Sequence, residues 1–99
     1  MAKYFLTNKA VEDLSKIWDY TYGVHSENQA NKYYELSIDS FQEIIQKPTL
    51  GKQYKEIDNT IQGLRVGKHI VFYRLVKNHN IEILRILHQR MDLRSKIDE

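Results

Sequence analysis

Ninety-nine residues with 41% apolar content allow one small domain and leave no room for a second core. The chain has no cysteine, which excludes disulfides and thiolate metal sites, and its four histidines (His25, His69, His79, His88) do not fall at metal-ligand spacing. A net charge of +2 admits an acidic partner without requiring nucleic acid.

The first ten residues, MAKYFLTNKA, contain no apolar run of signal-peptide length, and no stretch is long enough to span a membrane. A cytoplasmic protein with no membrane partner and no cofactor is the expectation. Residues 3–7 (KYFLT) predict a short strand. Thr7 or Asn8 then offers an N-cap. Val11, Leu14, Ile17, Trp18 and Tyr22 follow at helical spacing, and Gly23 suits a C-cap. Ser26 with Gln29 forms a capping box for a second helix. Its stripe is Ala30, Tyr34, Ser37, Phe41, Ile44 and Ile45, and Pro48 stops it after Gln46.

Residues 49–60 (TLGKQYKEIDNT) predict a loop with at most one helical turn. Three strands follow, over 61–66, 69–77 and 81–88, with turns at Gly67-Lys68 and near Asn78-His79-Asn80. The expected fold is α+β, in the order β-α-α-β-β-β: an antiparallel four-stranded sheet with a two-helix hairpin packed on one face. Residues 89–99 form a charged C-terminal tail of the single domain.

Strand alternation with two-residue turns divides the side chains between two faces. Leu64, Val66, Val71, Tyr73, Leu75, Leu84, Ile86 and His88 form an apolar face for the helices. Ile61, Arg65, Ile70, Phe72, Arg74, Val76, Ile83, Arg85 and Leu87 form the other. Three unpaired guanidinium groups are costly to bury, so this second face is expected to open to solvent or to a partner. The plainer alternative has the arginines snorkelling to the sheet edge over ordinary packing.

The segments GLRVGKHIVFYRL (63–75), IEILRILHQRMD (81–92) and NKAVEDLSKIWDYT (8–21) resemble the RelE/ParE superfamily of type II toxins, the closing strand the ParE-like subgroup in particular. The resemblance covers nearly the whole chain. It implies a toxin encoded beside a cognate antitoxin, a ParD-like protein whose C-terminal segment is disordered when free and wraps the toxin. It also implies operator DNA contacted only through the antitoxin's N-terminal half. ParE-type members inhibit DNA gyrase; RelE-type members cleave mRNA in the ribosomal A site.

The ParE-like activity, inhibition by binding with no catalytic residues, is favoured. The RelE-like alternative is a metal-independent endoribonuclease using Arg65 and Arg85 as its basic pair and His88 as acid or base. Against it, no tyrosine follows Tyr73, and alternation puts His88 on the opposite face from the arginines. His88 is more simply a strand-end histidine bonded in the core. Arg85 is equally well a strand arginine paired with Glu56, Glu82 or Asp92. Trp18, Tyr33 and Tyr34 are simplest as core or rim aromatics. Arg65, Phe72, Arg74, Ile83, Arg85 and Leu87 are the expected antitoxin contacts. Arg90, Arg94 and Lys96 are candidates for meeting the target.

Overall fold

The computed structural model describes residues 2–91, 95 and 97. Strand β1 (Tyr4–Leu6) leads into helices α1 (Asn8–Val24) and α2 (Glu27–Gln46). A 3-10 turn (Pro48–Leu50) precedes β2 (Lys52–Gln53), β3 (Gln62–Val66), β4 (His69–Leu75) and β5 (Ile81–His88). Among the described residues no helix is long and apolar enough to cross a membrane.

Both helices begin where side-chain chemistry starts them. The Thr7 side chain accepts from the Ala10 N–H, and Ser26 Oγ accepts from the Gln29 N–H at 3.1 Å. Helix α1 runs through Gly23 and ends at Val24, one residue beyond the expected glycine cap. Its inward face is Ala10, Asp13, Leu14 and Thr21, while Val11 and Tyr22, expected in the stripe, are exposed. In α2, Ala30, Ser37, Ser40, Phe41 and Ile44 face the core, and Tyr34 does not.

The sheet differs from expectation in two ways. It has five strands in the order β1-β5-β4-β3-β2, and β1 pairs with β5 in parallel rather than antiparallel. The fifth strand is a two-residue ladder, Lys52 and Gln53 against Gly63 and Gln62, too short and polar to leave a period in the sequence. The interior place of β5 goes with its burial. Ile81, Ile83, Ile86 and Leu87 are all buried, so β5 sits inside the sheet and takes a neighbour on each side.

Face assignment changes with register. The Gly67-Lys68 turn forms as expected, with Val66 opposite His69 and Gly67 at a φ of 60°. The next connection is longer, a five-residue loop with Leu75 opposite Ile81. Its Asn78 and His79 both adopt positive φ. That shift turns Ile81 and Ile83 toward the helices. A β-bulge then restores the two-residue-turn register, with Tyr73 opposite Ile83 but Phe72 opposite Arg85. Leu84 is the extra residue and moves to the other face, where it joins the second cluster.

The larger core lies between helices and sheet: Ala10, Leu14, Phe41, Ile44, Val66, Val71, Tyr73, Ile81, Ile83 and Ile86. The opposite face is also covered. Ile61, Ile70, Phe72 and Leu87 are buried there, under Tyr54, Ile57 and Ile97. The expectation of a broadly open second face is therefore corrected: residues 54–61 fold over it. Tyr73 fixes the start of that crossing, donating to the Pro48 carbonyl at 2.7 Å and accepting from the Gly51 N–H at 2.8 Å.

Candidate interaction surfaces

Arg85 is not an open-face arginine. Its Nε and Nη2 donate to Asp13 Oδ2 and Oδ1 at 2.8 and 3.0 Å, in the forked geometry a guanidinium favours. The same Asp13 Oδ2 accepts from the Ile86 N–H at 3.0 Å. The reason lies in the strand layout. Strand β1 ends at Leu6 opposite Ile83, so β5 loses its neighbour there and the Ile86 amide needs another acceptor. Thr7 makes the transition: its N–H donates to the Ile83 carbonyl and its hydroxyl to the Leu84 carbonyl at 2.7 Å. Helix α1 then places Asp13 where a fourth ladder residue would stand.

None of the carboxylates considered from sequence for Arg85 is the one found on α1. Glu82 instead holds Arg74 at 2.7 Å, on the solvent side of the sheet. Asp92 lies outside the described residues, as do Arg94 and Lys96. Asp13 was not among the carboxylates expected from sequence, although a signal was present. It falls three residues after Ala10 and immediately before Leu14, a carboxylate inside an apolar stripe, which requires a buried partner.

Of the six expected antitoxin contacts, Phe72, Ile83 and Leu87 are buried and Arg85 is engaged with Asp13. Arg65 and Arg74 are exposed. Arg65 folds back at the β3–β4 turn, its Nε donating to the Gly67 carbonyl at 3.2 Å. Of the RelE-like trio, Arg65 and His88 stand at the same end of the sheet. Arg85 is tied to α1, and Arg65 lies at the β3–β4 turn. His88 packs edge-on against His69, with ring centroids 5.3 Å apart. His88 Nδ1 accepts from the Arg90 N–H at 3.1 Å.

His69 belongs to a polar knot between α2 and the turn. The Tyr33 hydroxyl lies 2.7 Å from His69 Nδ1 and 3.1 Å from the Val66 carbonyl. It also accepts from the Lys68 N–H at 3.1 Å. With the His69 proton on Nδ1, the hydroxyl accepts twice and donates to Val66, so all three contacts are satisfied. Burial lowers the His69 pKa to about 4, helped by His88 and opposed by Asp13. Burial likewise raises the pKa of Tyr33. Among the described residues, no three His, Asp or Glu side chains converge to hold a metal ion.

The exposed apolar surface lies elsewhere, in a groove between the helices and the β1 edge. Tyr4, Leu6, Val11, Leu14, Trp18, Tyr34 and Ile38 line it, with Ser15, Asp19 and Asn31. Trp18 stacks on Tyr22 at 5.3 Å and donates from Nε1 to Asn31 Oδ1 at 3.1 Å. Beside the groove, β1 has β5 on one side and, among the described residues, no strand on the other. Lys3 and Thr7 direct their backbone groups to β5, so those of Tyr4 and Leu6 point outward from the sheet edge.

Comparisons with known proteins cover most of the chain and agree. Residues 4–93 match the family described as the ParE toxin of the type II toxin-antitoxin system parDE. Toxin ParE1 of Mycobacterium tuberculosis H37Rv is 33% identical over 92 residues, covering 93% of this chain and 94% of that protein. Toxin ParE1 of Caulobacter vibrioides is 30% identical over 97 residues, covering 98% and 99%. Among solved structures, the chromosomal ParDE toxin-antitoxin system from P. aeruginosa superposes with a TM-score of 0.73 at 23% identity, covering 89% of this chain and 95% of that one. The RelBE2 toxin-antitoxin complex from M. tuberculosis gives 0.59 at 21% identity, covering 89% and 98%. These two structural likenesses establish a shared fold.

Proposed function

Because the chain belongs to the ParE toxin family of type II toxin-antitoxin systems, we propose that it acts in the cytoplasm as a toxin that inhibits DNA gyrase by binding, and that a cognate antitoxin neutralises it. The observation that carries the binding mode is the Asp13–Arg85 pair. A metal-free RNA cleavage site needs a base for the 2′-hydroxyl, free positive charge for the phosphate and an acid for the leaving oxygen, all converging on one point. Here Arg85 is committed to a buried carboxylate and His88 to the Arg90 amide.

The antitoxin partner is a ParD-like segment, disordered when free. Ordering it costs about 2–5 kcal/mol, which a long apolar contact must offset. The groove of Tyr4, Leu6, Trp18, Tyr34 and Ile38 supplies that contact, and the outward Tyr4 and Leu6 backbone groups can hydrogen-bond an added strand. Operator sequence is read by the antitoxin, not by this chain.

Induction of the protein without its antitoxin tests the reading, with DNA and protein synthesis followed separately. DNA synthesis should fall first, with gyrase–DNA damage. Prompt loss of translation with cleaved mRNA and intact DNA would refute it.

A further inference from the structure

The cations of the sheet and its β3–β4 end differ in their partners, and Lys52 of β2 lies over the Tyr54 ring, 5.4 Å from its centroid. Arg74 and Arg85 each hold a carboxylate, Glu82 and Asp13. Arg65, Lys68 and Arg90 hold none among the described residues, and all three stand at one end of the sheet, where the β3–β4 turn meets the end of β5. The Lys68 carbonyl accepts from the Gln89 N–H at 3.0 Å, which places the turn beside the residue preceding Arg90.

These three positions are also fixed. The Lys68 amide is held by Tyr33 of α2 and its carbonyl by Gln89. The Arg65 side chain is held by the Gly67 carbonyl, and the Arg90 amide by His88 Nδ1. A Cβ on Gly67 would come within 2.6 Å of the Tyr33 hydroxyl, so α2 packs directly on the turn. Asp13 is engaged by Arg85. The acidic row of α2, Glu35, Asp39 and Glu43, continues along the helix beyond Tyr33, toward Gln46. Met91 is the exposed large apolar side chain at the β5 end. Protein interfaces are anchored by clusters of buried aromatic and apolar groups. Among the described residues, this rigid end carries cations and, in Met91, one exposed large apolar side chain, which suits a chain of regularly spaced anions.

We propose that Arg65, Lys68 and Arg90 form a site for the phosphodiester backbone of duplex DNA, contacted without regard to sequence. The proposal rests on the reading above only for its setting, a target enzyme that holds duplex DNA. The contact itself is a property of this chain.

The test uses the full chain without gyrase or antitoxin and a fluorescently labelled 20-base-pair duplex of arbitrary sequence, with anisotropy measured from low to moderate salt. Three neutralised phosphates correspond to a slope of log affinity against log salt of about −2.7. Arg65→Gln, Lys68→Gln and Arg90→Gln should each make the slope shallower by about 0.9, and the triple variant by about 2.7. Arg74→Gln, whose partner is Glu82, should leave it unchanged. Circular dichroism melting of each variant establishes that the fold is retained. Absence of salt-dependent duplex binding, or a triple variant with an unaltered slope, would overturn the proposal. So would tighter binding of poly-glutamate than of duplex, which would assign this end to an acidic protein. Because gyrase is absent, any of these failures leaves the gyrase reading standing, and failure of that reading in cells leaves the duplex measurement unaffected.

Discussion

Two polar knots tie the helix layer to the sheet, and they do so by opposite means. At the bulge, Asp13 of α1 grips Arg85 and the Ile86 amide of β5 with full charges in a nearly dry setting. At the β3–β4 turn, Tyr33 of α2 grips His69, Val66 and Lys68 with neutral groups in a half-buried one. A buried charge pair is hard to alter one member at a time, because the survivor is left without a counter-charge. A neutral knot tolerates loss of one member better but is sensitive to protonation of its histidine.

That contrast sets the order of expected effects. Asp13→Ala removes the carboxylate that takes the Arg85 Nε and Nη2 and the Ile86 amide and should destabilise the fold by about 3–5 kcal/mol in urea unfolding. Asp13→Ala/Arg85→Met should recover a large part of that loss. If the double variant is no more stable than the single one, the penalty is not one of an orphaned charge. Tyr33→Phe keeps the ring and removes the hydroxyl that serves three partners, for a loss of about 1–3 kcal/mol. An effect equal to that of Asp13→Ala would erase the distinction between the knots.

The pH dependence separates them further. His69 titrates near 6.5 when unfolded and at about 4 in the fold, so the native state favours the neutral ring. Its contribution is complete above pH 6.5, declines as pH falls toward 4, and is absent below that. For a half-buried ring, screened by solvent, the decline is about 1 kcal/mol. Urea unfolding of wild type and His69→Gln between pH 7 and 4 should show the difference between their stabilities narrowing as pH falls. A constant difference would show that the ring does not carry this linkage. The smallest effect is expected at Arg74, whose bond to Glu82 lies in solvent: Arg74→Ala should change stability by at most about 1 kcal/mol.

Much of the architecture was legible because it is set by local rules. Thr7 or Asn8, and Ser26, marked the helix starts, Pro48 the end of α2, and Gly67 the tight turn, since each depends on the chemistry of its own residue or an immediate neighbour. The two sheet faces were legible only in part. Alternation placed Val66, Val71 and Tyr73 toward the helices and Ile70 and Phe72 away from them. It inverted Ile83 and Leu84, because the Asn78-His79 loop has a different length and a bulge cancels the shift two residues later. Neither event leaves a periodic trace, and an error in loop length flips every side chain until something resets it. The candidate surfaces were less legible still. An arginine pattern looked like an open face, yet residues 54–61 and Ile97 cover Phe72 and Leu87, and α1 supplies the carboxylate for Arg85.

By itself, then, the sequence determined the helix pair, the strand segments and the toxin family resemblance, all of which rest on spacing and caps within short stretches. Tertiary structure alone decided that β1 lies parallel beside β5, that a tiny fifth strand closes the far edge, and that Arg85 turns inward while Arg65, Lys68 and Arg90 stay outside. The reason is that a charge is drawn inward only where a distant segment can satisfy it, and Asp13 stands 72 residues from Arg85 along the chain.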